Sequence, residues 1–249
     1  MKAKLVLFVC ATFMVTVTTD VVTELWNQYP DSDGNYIVPY QFSSTYSPED
    51  RSMVLSAMQK IAANTCVKFE PRSSEEQYVE IINEESGACG ANVGRISGKT
   101  SVYLEPSCMD AKTVMVMLLH SLGLSQENQR EDRDNYIKLH LENLIDPRAG
   151  VFLAMAESTQ KYLSVPYDYL SIMHDAKDAH AKPGTITVET VDPAYQDKIG
   201  KQAAPSARDY EKSLIFCAEG FWFVHFRPCK KSKMAYPTTS VIQLKTSGE

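Results

Sequence analysis

The stretch from Val114 to Asp134 constrains the fold of this chain more than any other segment. It begins with the apolar run VMVMLL, continues through His120 and Gly123, and ends in the charged run QREDRD. A continuous apolar run that leads into a glycine is typical of a helix packed in a protein core. Glycine ends such a helix because it adopts left-handed backbone angles at little cost. The segment therefore predicts a buried helix that breaks at Gly123 and continues into a polar turn.

A second distinctive segment is YDYLSIMHD, from Tyr167 to Asp175. Together the two segments resemble the astacin metalloproteases, a metzincin family, with their signature HExxHxxGxxHE, a following polar run near RxDRD, and the Met-turn YDYxSIMHY. Met173 matches the methionine of the Met-turn. The residues of the first segment that fall in register are His120, Gly123, Glu127, Arg130, Asp132, Arg133 and Asp134. The resemblance extends from about Trp26 to Cys217.

The resemblance implies a zinc site, but most of the residues that would form it are replaced. In the family two histidines one helical turn apart and a third beyond the glycine bind Zn²⁺, and a glutamate acts as general base. Val116 stands at the first histidine's position, Met117 at the general-base position and Gln126 at the third histidine's position. Valine cannot bind zinc as an imidazole does, and methionine cannot act as a base as a carboxylate does. The one remaining histidine is too few to hold a catalytic zinc ion, which needs three protein ligands. We therefore expect no cofactor and a vestigial ligand at His120.

Two further interpretations of His120 stay open at this stage. Its Val, Met and Leu neighbours favour a partly buried helical histidine that is satisfied by a nearby group. Alternatively, it belongs to a different metal site with Asp175, Gln126, and either His174 or His180, because aspartate is a competent ligand for zinc or calcium. Asp175 also replaces the tyrosine that closes the Met-turn in the family.

Charge and the N-terminal segment narrow the class of function. The net charge is -6 and no long Lys or Arg run occurs, which argues against nucleic acid or an anionic membrane surface as partners. Lys2 and Lys4 precede an apolar run to Val17, which suits a signal peptide and is shorter than the roughly 20 residues of a spanning helix. We predict a signal peptide over 1–19, secretion and no membrane span; the alternative is a buried N-terminal strand.

One of the six cysteines lies in the predicted signal peptide, and the others would reach an oxidising compartment. The resemblance implies that Cys66 pairs with Cys217 and that Cys89 pairs with Cys108. Cys229 then either pairs between molecules or stays free. Because the predicted signal peptide ends only a few residues before Trp26, where the resemblance begins, we expect no pro-segment. Either the loss of zinc or an incomplete gene model would explain such an absence.

Local patterns predict the first elements of an α+β domain. Tyr36 to Phe42 alternates like a strand, in which Pro39 suggests an edge or a bend. Ser47 begins a helix that ends at Asn64. Ser206 and Asp209 are a plausible cap of a short closing helix. Further predicted strands are Val67 to Phe69, Tyr78 to Asn83 and Ser101 to Leu104.

The resemblance implies a two-lobed, astacin/metzincin-like domain over residues 20–217, followed by a tail, 218–249, without a recognised domain. The N-terminal lobe is expected to hold a twisted, mostly parallel sheet with an edge strand and two long helices, and the C-terminal lobe to be mostly irregular with a closing helix. We expect a secreted, non-catalytic homologue that binds an extracellular peptide or protein in its remaining cleft. The alternatives are a zinc metalloendopeptidase with an aberrant site, and the product of a decaying gene.

Overall fold

The computed structural model describes residues 26–43, 45–83, 89–148 and 164–218, with side chains up to residue 214. The predicted signal peptide, Cys229 and the tail beyond Ala218 lie outside this part of the chain. Within it, no helix has the length and apolar character needed to cross a membrane.

The N-terminal lobe is built on a five-stranded sheet. Its strands in chain order are β1 (Tyr36–Phe42), β2 (Val67–Pro71), β3 (Tyr78–Ile82), β4 (Cys89–Ala91) and β5 (Lys99–Leu104). Their order across the sheet is β2-β1-β3-β5-β4. The first three pairings are parallel, and β4 runs antiparallel to β5 at the edge. The predicted α+β class, with its mostly parallel sheet and edge strand, is confirmed.

Pro39 lies in β1, which is an inner strand of this sheet rather than an edge. The sheet tolerates this proline because the pairing of β1 changes there. β1 pairs with β2 from Tyr36 to Tyr40, whereas its pairing with β3 begins only at Tyr40. At Pro39 the strand therefore has a neighbour on one side only, and the missing N–H interrupts no ladder.

Helix α1 (Pro48–Asn64) packs on the sheet. The Ser47 hydroxyl accepts a hydrogen bond from the backbone N–H of Asp50 at 3.1 Å, which caps the helix as the sequence predicts. Its buried side chains recur at helical spacing: Val54, Ala57, Met58 and Ile61. Burial of each of the larger ones contributes about 1.5–3 kcal/mol to folding.

Helix α2 (Ala111–Ser121) passes through the same core. The Asp110 carboxylate caps it by accepting the N–H groups of Lys112 and Thr113, each at 3.0 Å. Beyond its end, Gly123 has a φ of 106° and donates to the carbonyl of His120 at 2.7 Å. The predicted buried helix that breaks at Gly123 is confirmed.

A disulfide joins Cys89 of β4 to Cys108, as the resemblance implies. It attaches the edge strand to the turn that precedes α2. Sequence patterns predict no strand at β4, because a three-residue strand containing Gly90 shows no apolar alternation. Its position depends instead on pairing with β5 and on this disulfide. Cys66 is also disulfide-bonded, and its pairing with Cys217 stays a prediction because the side chain at position 217 lies outside the described part.

The C-terminal lobe is mostly irregular and closes with a helix, as expected. It contains a two-stranded antiparallel sheet of β6 (Ile137–Leu139) and β7 (Val188–Thr190), and the helix α3 (Ala207–Ala218). A second core cluster fills this lobe, formed by Ile137, Leu144, Tyr167, Val188 and Ile199. Ser206 and Asp209 make the predicted cap, since the Ser206 hydroxyl accepts from the N–H of Asp209 at 3.0 Å and the Asp209 carboxylate accepts from the N–H of Ser206 at 2.8 Å.

The sheet β6–β7 carries a pH-dependent contact between His140 and Glu189. The His140 Nε2 atom lies 2.7 Å from the Glu189 Oε2 atom, and this hydrogen bond raises the pKa of His140. A raised pKa stabilises the fold below the unfolded value of about 6.5 and stops doing so as pH rises through the folded value. We expect His140→Gln to lower the free energy of unfolding at pH 5.5 by about 0.5 kcal/mol, because the pair is partly exposed, and to have no effect at pH 9. Denaturant unfolding of both proteins at the two pH values tests this, and an equal loss at both would contradict it.

Candidate functional site

A cleft of about 200 Å³ separates α2 from the C-terminal lobe. One face of α2 forms one wall, the Met-turn segment forms the other, and the chain at Gly200 closes one side. The lining residues are Lys112, Thr113, Val116, Met117, Gln126, Ile172, His174, Asp175, Ala176 and Gly200. The cleft therefore lies where the resemblance places the active site.

The α2 wall consists of two pairs of residues, and the members of each pair are four positions apart. The pairs are Lys112 with Val116 and Thr113 with Met117. This spacing puts all four side chains on one face of the helix. Val116 is 8% exposed and Met117 is half-buried. The two positions assigned to a zinc ligand and a general base thus present an isopropyl group and a thioether to the cleft.

Gln126 reaches the same cleft from beyond α2. The reversal at Gly123 redirects the chain, and Gln126 directly precedes a 3-10 helix, Glu127–Gln129. The structure therefore brings Gln126, which lies beyond the end of α2, to the same cleft as Val116 and Met117 of α2. Their side chains offer an amide and a thioether and no imidazole or carboxylate.

His120 follows Val116 by one helical turn and is 9% exposed. Its Nδ1 atom lies 2.7 Å from the carbonyl oxygen of Leu124. Because a carbonyl oxygen can only accept, Nδ1 carries the proton and donates. This hydrogen bond fixes both the tautomer and the orientation of the ring.

Met173 is buried at 1% exposure, and its carbonyl accepts the N–H of Glu127 at 2.9 Å. The Met-turn is also held from α3 by Asp209, which is fully buried. The Asp209 carboxylate accepts the hydroxyl of Ser171 and, at 3.0 Å, the N–H of Ile172. The closing helix thereby sets the position of one cleft wall.

His174 uses both ring nitrogens within the protein. Its Nδ1 atom donates to the carbonyl of Asp175 at 2.8 Å, and its Nε2 atom accepts the hydroxyl of Tyr167 at 2.8 Å. Burial lowers the pKa of His174, so the ring is neutral at physiological pH. Burial also raises the pKa of Tyr167, which keeps its hydroxyl protonated as the donor.

Asp175, the strongest candidate for an alternative metal ligand, is paired with Asn128. The Asn128 amide donates to the Asp175 carboxylate at 2.9 Å and accepts the N–H of Asp175 at 3.1 Å. Among the residues that the structure describes, no group of three His, Cys, Asp or Glu side chains is placed to hold a metal ion. The alternative set of His120, Asp175 and a second histidine is therefore not assembled. Since catalytic zinc requires three protein ligands, the residues at this place do not fit the metal.

Three side chains around the cleft were not found by sequence reasoning: Lys112, Asn128 and Lys212. Lys112 donates from α2 to the carbonyl of Gly200 and so spans the cleft. A lysine in the first turn of a helix opposes the helix dipole. This unfavourable placement is the sequence feature that could have marked Lys112 as a residue with a specific partner. No comparable signal marks the other two residues.

Lys212 of α3 forms a buried ion pair with Glu127, whose side chain is 3% exposed. The Glu127 carboxylate also accepts the N–H of Asp168 at 2.9 Å and lies 3.4 Å from the guanidinium of Arg130. Buried charges persist only when they are paired and hydrogen-bonded in this way. Glu127 therefore connects the end of the signature segment to the Met-turn and to α3.

Gly200 is expected to be intolerant of any side chain. Its φ is 72°, and an added Cβ would lie 2.3 Å from the Cα of Ala176, whose backbone packs directly against it. We expect Gly200→Ala to destabilise the fold by about 2–3 kcal/mol, because backbone strain and a backbone clash add. The control is Gly184→Ala, which has φ of 78° and open space around the Cβ position. Thermal unfolding of the two variants separates the clash from the strain, and equal losses would contradict the prediction.

Fold and site together define a two-lobed, metzincin-like peptidase domain. The sequence matches the peptidase family described as Astacin over residues 24–215. The chain belongs to the astacin family.

Individual relatives agree with this assignment. The chain is 39% identical over 200 residues to zinc metalloproteinase nas-5 of Caenorhabditis elegans, covering 78% of this chain and 56% of that protein. It is 33% identical over 190 residues to embryonic protein UVS.2 of Xenopus laevis, covering 76% of this chain and 35% of that protein. The chain spans about half the length of the first curated relatives it matches.

A solved structure shows the same fold. High choriolytic enzyme 1, a hatching enzyme zinc-protease from Oryzias latipes (medaka fish), superposes with a TM-score of 0.70 at 27% identity. The superposition covers 78% of this chain and 94% of that chain. The expected two-lobed, astacin-like architecture is therefore confirmed.

Proposed function

We propose that this chain is a secreted, non-catalytic homologue of the astacin metalloproteases that binds a peptide or protein in its cleft. The observation that carries the proposal is the set of residues at the assigned positions, Val116, Met117 and Gln126, all of which line the cleft. No side chain of this set can accept a proton as a general base at neutral pH. Catalysis is lost because both the base and the ligand set are missing.

Peptide binding does not need the missing residues. The cleft has an apolar wall at Val116, Met117 and Ile172, which suits one apolar side chain of a ligand. In the described sheet β4 pairs with β5 alone, so its other edge is available to an extended segment by strand addition. The cleft would hold a side chain of the peptide, and the edge strand would form hydrogen bonds with its main chain.

Zinc content and proteolysis test the proposal directly. Disulfide-intact protein, dialysed against trace zinc, is analysed for metal per chain and incubated with a denatured protein substrate, with and without a chelator. We expect well below one equivalent of zinc and no cleavage that the chelator abolishes. A full equivalent together with chelator-sensitive cleavage would establish the alternative, a zinc metalloendopeptidase with an aberrant site.

Secretion is supported by the cysteines. The Cys89–Cys108 disulfide and the disulfide-bonded Cys66 persist in an oxidising compartment. Expression in eukaryotic cells is expected to release the protein into the medium with an N-terminus at Asp20. Retention in the cytosol with an intact N-terminus would contradict secretion. Non-reducing electrophoresis of the released protein shows whether Cys229 forms an intermolecular disulfide.

A further inference from the structure

A second pocket, of about 440 Å³, lies on the C-terminal lobe and shares no lining residue with the cleft. We call it the tyrosine pocket. Its lining residues are Tyr167, Asp168, Tyr169, Leu170, Tyr195, Ser206, Ala207 and Arg208. It lies between the start of the Met-turn segment and the first turn of α3. Tyr167 connects the two pockets, because its hydroxyl donates to the cleft residue His174.

The walls of the tyrosine pocket present an apolar surface. The rings of Tyr169 and Tyr195 stack with centroids 4.6 Å apart. Leu170 is 40% exposed and Val191 is 52% exposed, which is unusual for large aliphatic side chains. Val191 lies beside Tyr169, because the Val191 N–H and the Tyr169 hydroxyl both donate to the carbonyl of Tyr136 at 2.7 Å.

Most polar groups of the pocket are already engaged within the protein. The Asp168 carboxylate accepts the hydroxyl of Ser206 at 2.6 Å and the N–H of Leu170 at 3.0 Å. The hydroxyls of Tyr167 and Tyr169 donate to His174 and to the carbonyl of Tyr136. A ligand rich in hydroxyl groups, such as a sugar, would therefore find few partners there.

Arg208 is the exception. Its Nη1 atom donates to the carbonyl of Tyr167 at 2.9 Å, which holds the guanidinium at the pocket while the residue stays exposed. Throughout the described ranges no carboxylate forms an ion pair with it. An oriented guanidinium with unused N–H donors is suited to bind a carboxylate.

We propose that the tyrosine pocket binds a peptide segment of a partner protein, through an apolar or aromatic side chain against Tyr169 and Tyr195 and a neighbouring carboxylate on Arg208. The composition of the surface supports a protein partner, since tyrosine and arginine are enriched at the energetic centres of protein interfaces. The guanidinium of Arg208 determines the charge of the ligand. The exposed aliphatic side chain of Leu170 in the lining favours a peptide over a sugar.

The probe for this proposal is the tripeptide N-acetyl-Leu-Phe-Asp-amide, compared with the otherwise identical peptide that ends in asparagine. Titration of the full protein is followed by calorimetry and by the NMR shifts of the Leu170 methyl groups. We expect the acidic peptide to bind with methyl shifts at Leu170, and the amide peptide to bind about tenfold more weakly. No binding of the acidic peptide at millimolar concentration would overturn the proposal.

Two variants test the tyrosine pocket itself, and a third tests whether a surface arginine elsewhere has the same effect through charge alone. Arg208→Gln is expected to weaken binding of the acidic peptide about tenfold and to abolish the difference between the two peptides. Leu170→Asp, at an exposed position that tolerates a polar residue, is expected to abolish binding by like-charge repulsion. Arg148→Gln, at a residue whose side chain is 90% exposed, should change nothing.

Failure of this proposal is distinguishable from failure of the proposed function. Lys112→Gln alters the cleft and is expected to leave binding of the tripeptide unchanged. Loss of binding in Lys112→Gln with full binding in Arg208→Gln would place the peptide in the cleft and overturn the assignment to the tyrosine pocket. Binding of glucuronic acid with higher affinity than the acidic peptide would overturn the choice of a peptide ligand.

Discussion

Combining Val116→His, Met117→Glu and Gln126→His in one chain is expected to produce a protein that binds one equivalent of zinc and cleaves peptides. The two histidine substitutions would add imidazoles to the cleft that Val116 and Gln126 now line, with His120 one helical turn from position 116. The existing hydrogen bond from His120 Nδ1 to Leu124 leaves that ring in the tautomer whose Nε2 can act as a ligand. The Met117→Glu substitution supplies the general base.

The expected gain in chelator-sensitive cleavage over the parent chain is at least about 10³-fold, because base and metal ligands act as a unit. The matched control contains Val116→His and Gln126→His with Met117 unchanged. This control should bind zinc as tightly and cleave far more slowly. If the triple variant binds no zinc, the cleft does not keep the ligand geometry of the family, and its inactivity has a cause beyond three side chains.

The largest loss of stability from a single substitution is expected for Asp209→Ala. This carboxylate is fully buried and accepts hydrogen bonds from the Ser171 hydroxyl and from the N–H groups of Ile172 and Ser206. Asp209→Ala would leave the Ser171 hydroxyl and the Ile172 N–H buried without this acceptor, at about 1–3 kcal/mol for each unsatisfied group, and would also remove the acceptor of the half-buried Ser206 N–H. Allowing for partial relaxation, we expect a loss of about 3–5 kcal/mol in the free energy of unfolding.

Denaturant unfolding with intact disulfides measures this loss. The matched control is Asp197→Ala, which removes a carboxylate of 77% side-chain exposure that pairs with Lys177 on the surface. The control should change stability far less than Asp209→Ala, because solvent screens an exposed surface pair. A similar change in both variants would show that Asp209 does not hold the Met-turn.

The C-terminal core depends on contacts that a reading of the sequence does not reveal. The pairs Glu127 with Lys212 and Asn128 with Asp175 join residues that are 85 and 47 positions apart in the chain. Neither pair has a local spacing that predicts it. Pro39 illustrates the same limit in the sheet, since its placement in an inner strand depends on where β1 exchanges one neighbour for another.

The sequence by itself determined the family, the α+β class, the caps of α1 and α3, the end of α2 near Gly123, and which residues stand at the ligand and base positions. These features depend on local spacing and on residue chemistry, which can be read along the chain. Only the tertiary structure decided that Lys112 spans the cleft, that both nitrogens of His174 are engaged inside the protein, and that the tyrosine pocket leaves Arg208 without an acidic partner among the described residues. The physical reason is that hydrogen-bond satisfaction and charge pairing depend on distances between residues far apart in sequence, and those distances exist only once the lobes have packed.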